Sequence, residues 1–401
     1  MNYKKIIAAL LSLTLTAGFF GCTESETSTD VTPDSVSDTA DDTADTSNTT
    51  DKTTDKQTTA PEPEVIVPTS HTMQFTSEKD GIYNYCPSVM QVSDDKMYIY
   101  YCTNSKSYNV TDYIGFREAT KNPDGTWTWS EEKIVLSPTA GTWDSRHVCD
   151  PSVVMGDFTY NGEKYSYLMA YLGCLTSNSQ ENEIGIAVAK NPDGPFVKVG
   201  NKAFIEYNRD MTINQDLFQW GVGQPSLINM DKSGEIMIFY TKGIPSRTCT
   251  IVESWNLSDL NNPVRHSSVI LSERGLYNLN NGADIINNAD FVYDAEAKRF
   301  YASSDCHPNP SSEPSFISST FRITYFDKPS SYASFAWRTL CTVGEKATGF
   351  ARNHNTGILR DGYGHLPNDY ISVYYTVSIT GTGNTSLWTY RIYDYHVKKP
   401  K

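Results

Sequence analysis

The chain has 401 residues, 47 acidic and 33 basic side chains, a formal net charge of −14, and 38% hydrophobic residues. That length and apolar content can fill a sizeable core, so disorder throughout is excluded. The acidic balance argues against a nucleic-acid partner, because phosphate binding needs a basic face.

At the start, Met1-Asn2-Tyr3-Lys4-Lys5 leads into an apolar run of 15 residues, Ile6–Phe20, that ends at Gly21-Cys22. Basic residues, a short hydrophobic stretch and a small residue at the break predict a secretory signal over 1–21, too short to span a bilayer comfortably. Cys22 directly after the break resembles the lipobox of bacterial lipoproteins, which implies an acylated thiol and a chain anchored at the extracellular face of the cell membrane. Plain secretion is the alternative. Residues 22–69 predict an acidic tether: between 23 and 68, twelve acids face Lys52 and Lys56, a net of −10, among Thr, Ser and Asp. Such a stretch cannot bury enough surface to offset its ordering entropy. Residues 71–401 hold 35 acids and 29 bases, so the strong acidity belongs mostly to the tether.

From 70 to 401 the pattern is all-β, with short Val, Ile, Tyr and Phe runs between polar turns. Five stretches share one plan, a short apolar strand, a polar turn and a Tyr- or Phe-rich strand. They open at Cys86, Asp150, Gln224, Asn288 and His354, with separations of 64, 74, 64 and 66 residues. A second repeat agrees: Asn122-Pro123-Asp124-Gly125 and Asn191-Pro192-Asp193-Gly194 follow similar third strands and are turn chemistry. A period near 65 with about four strands per unit predicts one five-bladed β-propeller of four-stranded antiparallel blades. A monomer is expected. Its last unit lacks a fourth strand, and the segment Thr72–Thr76 is expected to supply it. Seven cysteines besides Cys22 leave at least one thiol unpaired, and no zinc-type ligand spacing occurs.

Asp150-Pro151-Ser152-Val153, the third strand Ile184-Gly185-Ile186-Ala187-Val188-Ala189 and Asn191-Pro192-Asp193-Gly194-Pro195-Phe196 resemble the five-bladed glycoside hydrolases, of which family 43 is the largest relative. The resemblance implies a carbohydrate partner, hydrolysis with inversion, and carboxylates at the starts of blades one, two and three as base, orienting group and acid. It needs no cofactor and allows a central Ca2+ held through a histidine and waters. Carried over, it puts Cys86, Asp150 and Gln224 at those places, so only the orienting aspartate survives. A glutamine cannot protonate a leaving oxygen, and a thiol activates water poorly.

Asp150, His354 and Asp290 are therefore the candidate catalytic residues, with His354 also the candidate ion ligand and Asp290 alternatively a core acceptor of backbone hydrogen bonds. Cys86, Gln224, Asn288, Asn355, Arg352, Trp220, Trp143 and Arg146 are candidates for binding sugar, through amide, guanidinium and aromatic faces. Asp144 and Asp216 sit in loops that could line a rim. Two functions compete with hydrolysis: an inactive glycan-binding surface lipoprotein, which Cys86 and Gln224 favour, and an adhesive protein using the blade faces.

Overall fold

The computed structural model describes residues 81–176, 180–209, 211–212, 214, 217–244, 247–381 and 386–400. The predicted signal, Cys22, the tether, the Thr72–Thr76 strand and Asp216 lie outside the described residues.

The fold is a five-bladed β-propeller. Blade one holds β1 (Asn84–Ser93), β2 (Lys96–Thr103), β3 (Tyr113–Lys121) and β4 (Trp127–Trp129), with β5 (Lys133–Leu136) also paired to β3. Blade two is β6 (His147–Tyr160), β7 (Glu163–Cys174), β8 (Glu183–Ala189) and β9 (Val197–Lys198). Blade three is β10 (Gly221–Asn229), β11 (Glu235–Ile244), β12 (Arg247–Asn256) and β13 (Val264–Ile270). Blade four is β14 (Asp290–Asp294), β15 (Arg299–Asp305), β16 (Phe321–Asp327) and β17 (Arg338–Val343). Blade five, β18 (Arg352–Ile358), β19 (Tyr370–Ser378) and β20 (Arg391–Lys398), has three strands among the described residues. Apolar side chains fill the wedges between neighbouring blades, as where Val154, Leu168 and Ile186 meet Leu227, Ile236 and Ile238. Phe239 stacks on Phe291 at the next junction, with ring centroids 4.0 Å apart.

Four of the five inner strands carry the same irregularity, and Asn288, just before β14, shares its backbone conformation. Register shifts fall between Tyr85 and Ser88, Cys149 and Ser152, Gly223 and Ser226, and His354 and Gly357. The residue at the bulge has a left-handed backbone, with φ of 49° at Cys86, 46° at Asp150, 53° at Gln224, 46° at Asn288 and 46° at Asn355. A bulge leaves its residue out of the ladder, which is why proline is tolerated at 87, 151 and 225. It also turns five side chains toward the axis. Left-handed non-glycine residues cost on the order of 1–3 kcal/mol each, so the rest of the fold must hold them in place.

Two residues further along each strand, a side chain reaches the next blade. Ser88 Oγ accepts the Val153 N–H at 3.4 Å, Ser152 Oγ that of Leu227 at 2.9 Å, Ser226 Oγ that of Phe291 at 2.9 Å, and Asp290 Oδ2 that of Ile358 at 2.7 Å. This repeat fixes the phase of blade five at Asn355, one residue later than the expected His354. The expectation slipped because every residue from Arg352 to Asn355 is polar or charged. Where the fifth reaching side chain would stand is Gly357, and a Cβ there would lie 1.9 Å from the Pro87 carbonyl oxygen. Gly357→Ala is expected to push blades five and one apart and to lower stability by about 3 kcal/mol, seen as a shifted urea midpoint.

The far end of the axis is closed. The segment after β18 presents one carbonyl acceptor to each other blade in turn: Arg360 O accepts Gln91 N–H (2.7 Å), Gly362 O accepts Met155 N–H (2.5 Å), Tyr363 O accepts Asn229 N–H (2.8 Å) and Gly364 O accepts Tyr293 N–H (3.1 Å). Above it the fully buried Arg360 guanidinium donates to Ser152 Oγ at 3.3 Å and Leu227 O at 3.0 Å and pairs with Asp290. A protein cation thus fills the axis beneath the bulge residues.

Candidate functional site

The inner strands start at the open end of the axis, and there Cys86, Asp150, Gln224, Asn288 and Asn355 line one open depression, together with the residues that follow them. Its enclosed space is about 30 Å³, room for water-sized groups, so a sugar ring would stand in the open mouth above it. The five are wired together. Asn288 N–H donates to Gln224 Oε1 at 3.0 Å, Asn355 Nδ2 donates to Asn288 Oδ1 at 3.1 Å and to Cys86 Sγ at 2.9 Å, and the Cys86 thiol hydrogen-bonds the Asp150 carboxylate. At the other end, Asn288 Nδ2 donates to Asp305 Oδ2 at 2.9 Å. One arc of side chains therefore joins two carboxyls, Asp150 in blade two and Asp305 in blade four.

Both carboxyls are perturbed. Burial pushes Asp150 up to about 6; the Asp112 carboxylate adds to the rise and the Cys86 hydrogen bond opposes it. Burial also pushes Asp305 up to about 6, against the Asn288 hydrogen bond and the nearby His307 and Arg322. Burial and the Asp150 carboxylate hold the Cys86 thiol well above its ordinary value. Carboxyls that titrate near neutrality can exchange protons with a substrate, which an ordinary surface aspartate does poorly.

Asp305 was missed because second strands were read for packing, yet β15 ends at Asp305 directly behind Asn288, one side chain back from the lining of the depression. Next to it, His307 Nδ1 lies 2.8 Å from Asp284 Oδ1, and Asp284 Oδ2 lies 2.8 Å from the buried Arg322. The carboxylate fixes the ring and leaves its partly exposed edge at the lip. Tyr83 Oη donates to Asp112 at 2.7 Å, and Tyr85, Tyr390 and Tyr83 form a ring-to-ring wall with centroids 5.7 Å apart.

Several expected site residues do other things. Asp290 borders the depression, as expected of a site residue, but its carboxylate is held by Ser226, Arg360 and the Ile358 N–H, the environment of a structural ion pair. His354 is buried at 2% exposure against Tyr390, donates to Asn355 Oδ1, and is held by burial down at about 4. It is neutral at pH 7, and it positions Asn355 rather than reaching the mouth. The Arg352 guanidinium is buried on the Ser312 and Ala351 carbonyls. Trp143 stacks on Tyr171 at 5.8 Å over Gly173, and Asp144 is buried on Lys198 and Tyr171. Arg146 donates to Val110 O at 3.1 Å. Trp220 packs against the cluster of Cys86, Cys102, Cys149 and Leu172; Gly223 serves that packing, since a Cβ there would meet Leu172 at 2.3 Å and Trp220 at 2.9 Å.

The spacing of the cysteines concealed their arrangement. Cys102 in β2 and Cys149 in β6 form a disulfide between blades one and two, and Cys86, Cys174, Cys249, Cys306 and Cys341 are free. The Cys86 thiol and an Asp150 oxygen lie within 4.8 Å of both bridged sulfurs.

No family model matches the chain, and no curated protein matches it in sequence. Among solved structures, a family 117 glycoside hydrolase from Zobellia galactanivorans superposes with a TM-score of 0.50 at 14% identity, over 82% of this chain and 89% of that one. The chain shares its fold with glycoside hydrolases. The α-L-arabinofuranosidase of Podospora anserina, solved with cellotriose, gives 0.50 at 10% identity over 82% and 96% of the two chains. An exo-β-1,3-galactanase from Phanerochaete chrysosporium, solved with β-1,3-galactotriose, gives 0.50 at 14% identity over 82% and 63%. At such identities the likeness concerns the propeller itself.

Proposed function

We propose that this propeller binds the end of an oligo- or polysaccharide in its axial mouth and hydrolyses a glycosidic bond there, with Asp150 and Asp305 as the acid/base pair. The observation that carries the reading is that pair: two carboxyls, both raised to about 6, at the ends of one hydrogen-bonded arc, with Asp150 lining the depression and Asp305 behind Asn288. The neighbours sort their roles. Asp112 beside Asp150 favours the protonated form, which suits the proton donor to the leaving oxygen, whereas His307 and Arg322 near Asp305 favour the carboxylate, which suits activation of water. Asn288, Asn355 and Gln224 supply amide groups for sugar hydroxyls. The loops on the mouth side, rather than the opposite end, carry exposed Leu175, Leu217, Phe218, Tyr277 and Phe316, apolar surface on which a sugar face can rest. We further propose, from Lys4-Lys5, the apolar run and Cys22, that the protein works as a lipid-anchored surface protein.

Incubating the whole chain with arabinan, xylan, fructan and galactan oligomers and measuring reducing ends tests the reading. Because one carboxyl must be protonated and the other ionised, and both titrate near 6, the pH–rate profile is expected to be a narrow bell centred near pH 6, falling on both sides. A plateau from pH 7 to 9 would remove the pair from the mechanism. Affinity for an oligomer without turnover would select glycan binding, the reading that Cys86 and Gln224 favour. Neither turnover nor affinity would sink the carbohydrate reading.

A further inference from the structure

Cys86, Cys102, Cys149 and Asp150 come from three strands, β1, β2 and β6, at the floor of the mouth. Their sulfur and oxygen atoms all lie within 4.8 Å of one another. Asp150 Oδ1 is 3.2 Å from Cys149 Sγ and 3.9 Å from Cys102 Sγ. Sulfur is a weak hydrogen-bond acceptor when neutral and a good one as thiolate. Each of the three sulfurs nonetheless faces its own donor: Asn355 Nδ2 at 2.9 Å from Cys86 Sγ, the Asp150 N–H at 3.0 Å from Cys102 Sγ, and the Tyr85 hydroxyl at 3.1 Å from Cys149 Sγ. Three donors aimed at three sulfurs, two of them from side chains outside the cluster and one from the Asp150 backbone, are the surroundings expected of a metal–thiolate centre, where such partners orient the ligands and spread their charge.

We propose that, once the Cys102–Cys149 disulfide is reduced, these four residues bind one divalent cation of the zinc class through three thiolates and the Asp150 carboxylate. Reduction by a phosphine and water gives phosphine oxide and two thiols. Metal binding then displaces the protons of three thiols, so affinity rises with pH. A tetrahedral site with zinc–sulfur bonds of about 2.3 Å places its sulfurs about 3.8 Å apart. The atoms already lie within 4.8 Å, so opening the disulfide needs side-chain rotation and no movement of the blades. Sulfur-rich ligation selects zinc-class ions over Ca2+ or Mg2+, which prefer all-oxygen sets. Nothing in this inference depends on sugar cleavage, and its readout is spectroscopic.

Co2+ is the probe. The full chain, reduced with a phosphine and freed of it under nitrogen, is titrated with Co2+ and followed by the sulfur-to-cobalt charge-transfer band and the visible bands of a tetrahedral ion. The expected result is one equivalent bound per chain, bleached by Zn2+ and absent from the unreduced protein. Cys86→Ser keeps the disulfide, so its folding can be checked in the oxidised state by its urea midpoint; it is expected to weaken Co2+ binding at least 100-fold, while Cys249→Ser binds as wild type. Saturation without the charge-transfer band, equal binding by the unreduced protein, or equal losses in Cys86→Ser and Cys249→Ser would each overturn the proposal.

Discussion

Asp150→Asn is expected to lose about a thousandfold or more in turnover and, at pH 7, to be more stable than the wild type. The loss follows from removing the only proton donor the arc offers in blade two. The gain follows from linkage. Asp150 titrates at about 6 in the folded protein, against about 3.9 for an ordinary aspartate in the unfolded chain. Between those values the folded state holds a proton that the unfolded state has released, so stability falls as pH rises through that window. Above it, the ionised carboxylate in the mouth costs on the order of 1–3 kcal/mol, because it remains partly open to solvent. The asparagine never ionises and escapes that cost. Urea unfolding of both proteins at pH 4 and pH 7 checks this: their midpoints should nearly coincide at pH 4 and separate at pH 7, with the variant ahead. A variant less stable than wild type at pH 7 would show that the carboxylate is held by favourable contacts instead.

Arg360→Met is expected to destabilise the protein by about 3–5 kcal/mol, the cost of leaving one member of a buried ion pair without its partner. Its guanidinium touches blades two, three and four from blade five, so the loss should fall on the whole ring and reduce the cooperativity of unfolding. The stranded group would be Asp290, whose other acceptor bonds go to Ser226 and the Ile358 N–H. Adding Asp290→Asn to Arg360→Met should therefore recover part of the loss. If Arg360→Met alone unfolds at the wild-type urea concentration, the guanidinium is not what ties the inner strands.

The ring was legible because its repeat is carried by chemistry as well as by spacing: Pro-Ser after Cys86, Asp150 and Gln224 marks a bulge followed by a side chain that reaches the next blade. Blade five breaks that pattern with Thr356-Gly357, and there the expected phase slipped by one residue onto His354. The catalytic expectation looked to strand starts and the loops feeding them, so Asp290, polar and near a strand start, was named and Asp305, at the end of a second strand, was not. Which of the two carboxylates is tied up depends on Arg360, 70 residues from Asp290 along the chain, and no local pattern announces that pairing. The sulfur cluster was hidden for the same reason, since its four members meet only where blades one and two touch.

The segment from Arg360 to Gly364, bonded to every other blade, makes the axle of this propeller blind. A polymer cannot be threaded through it, and whatever enters must back out by the same door. On the proposed function, residence there would be governed by how fast a single sugar end lets go, and long chains would be served only at their tips or side branches.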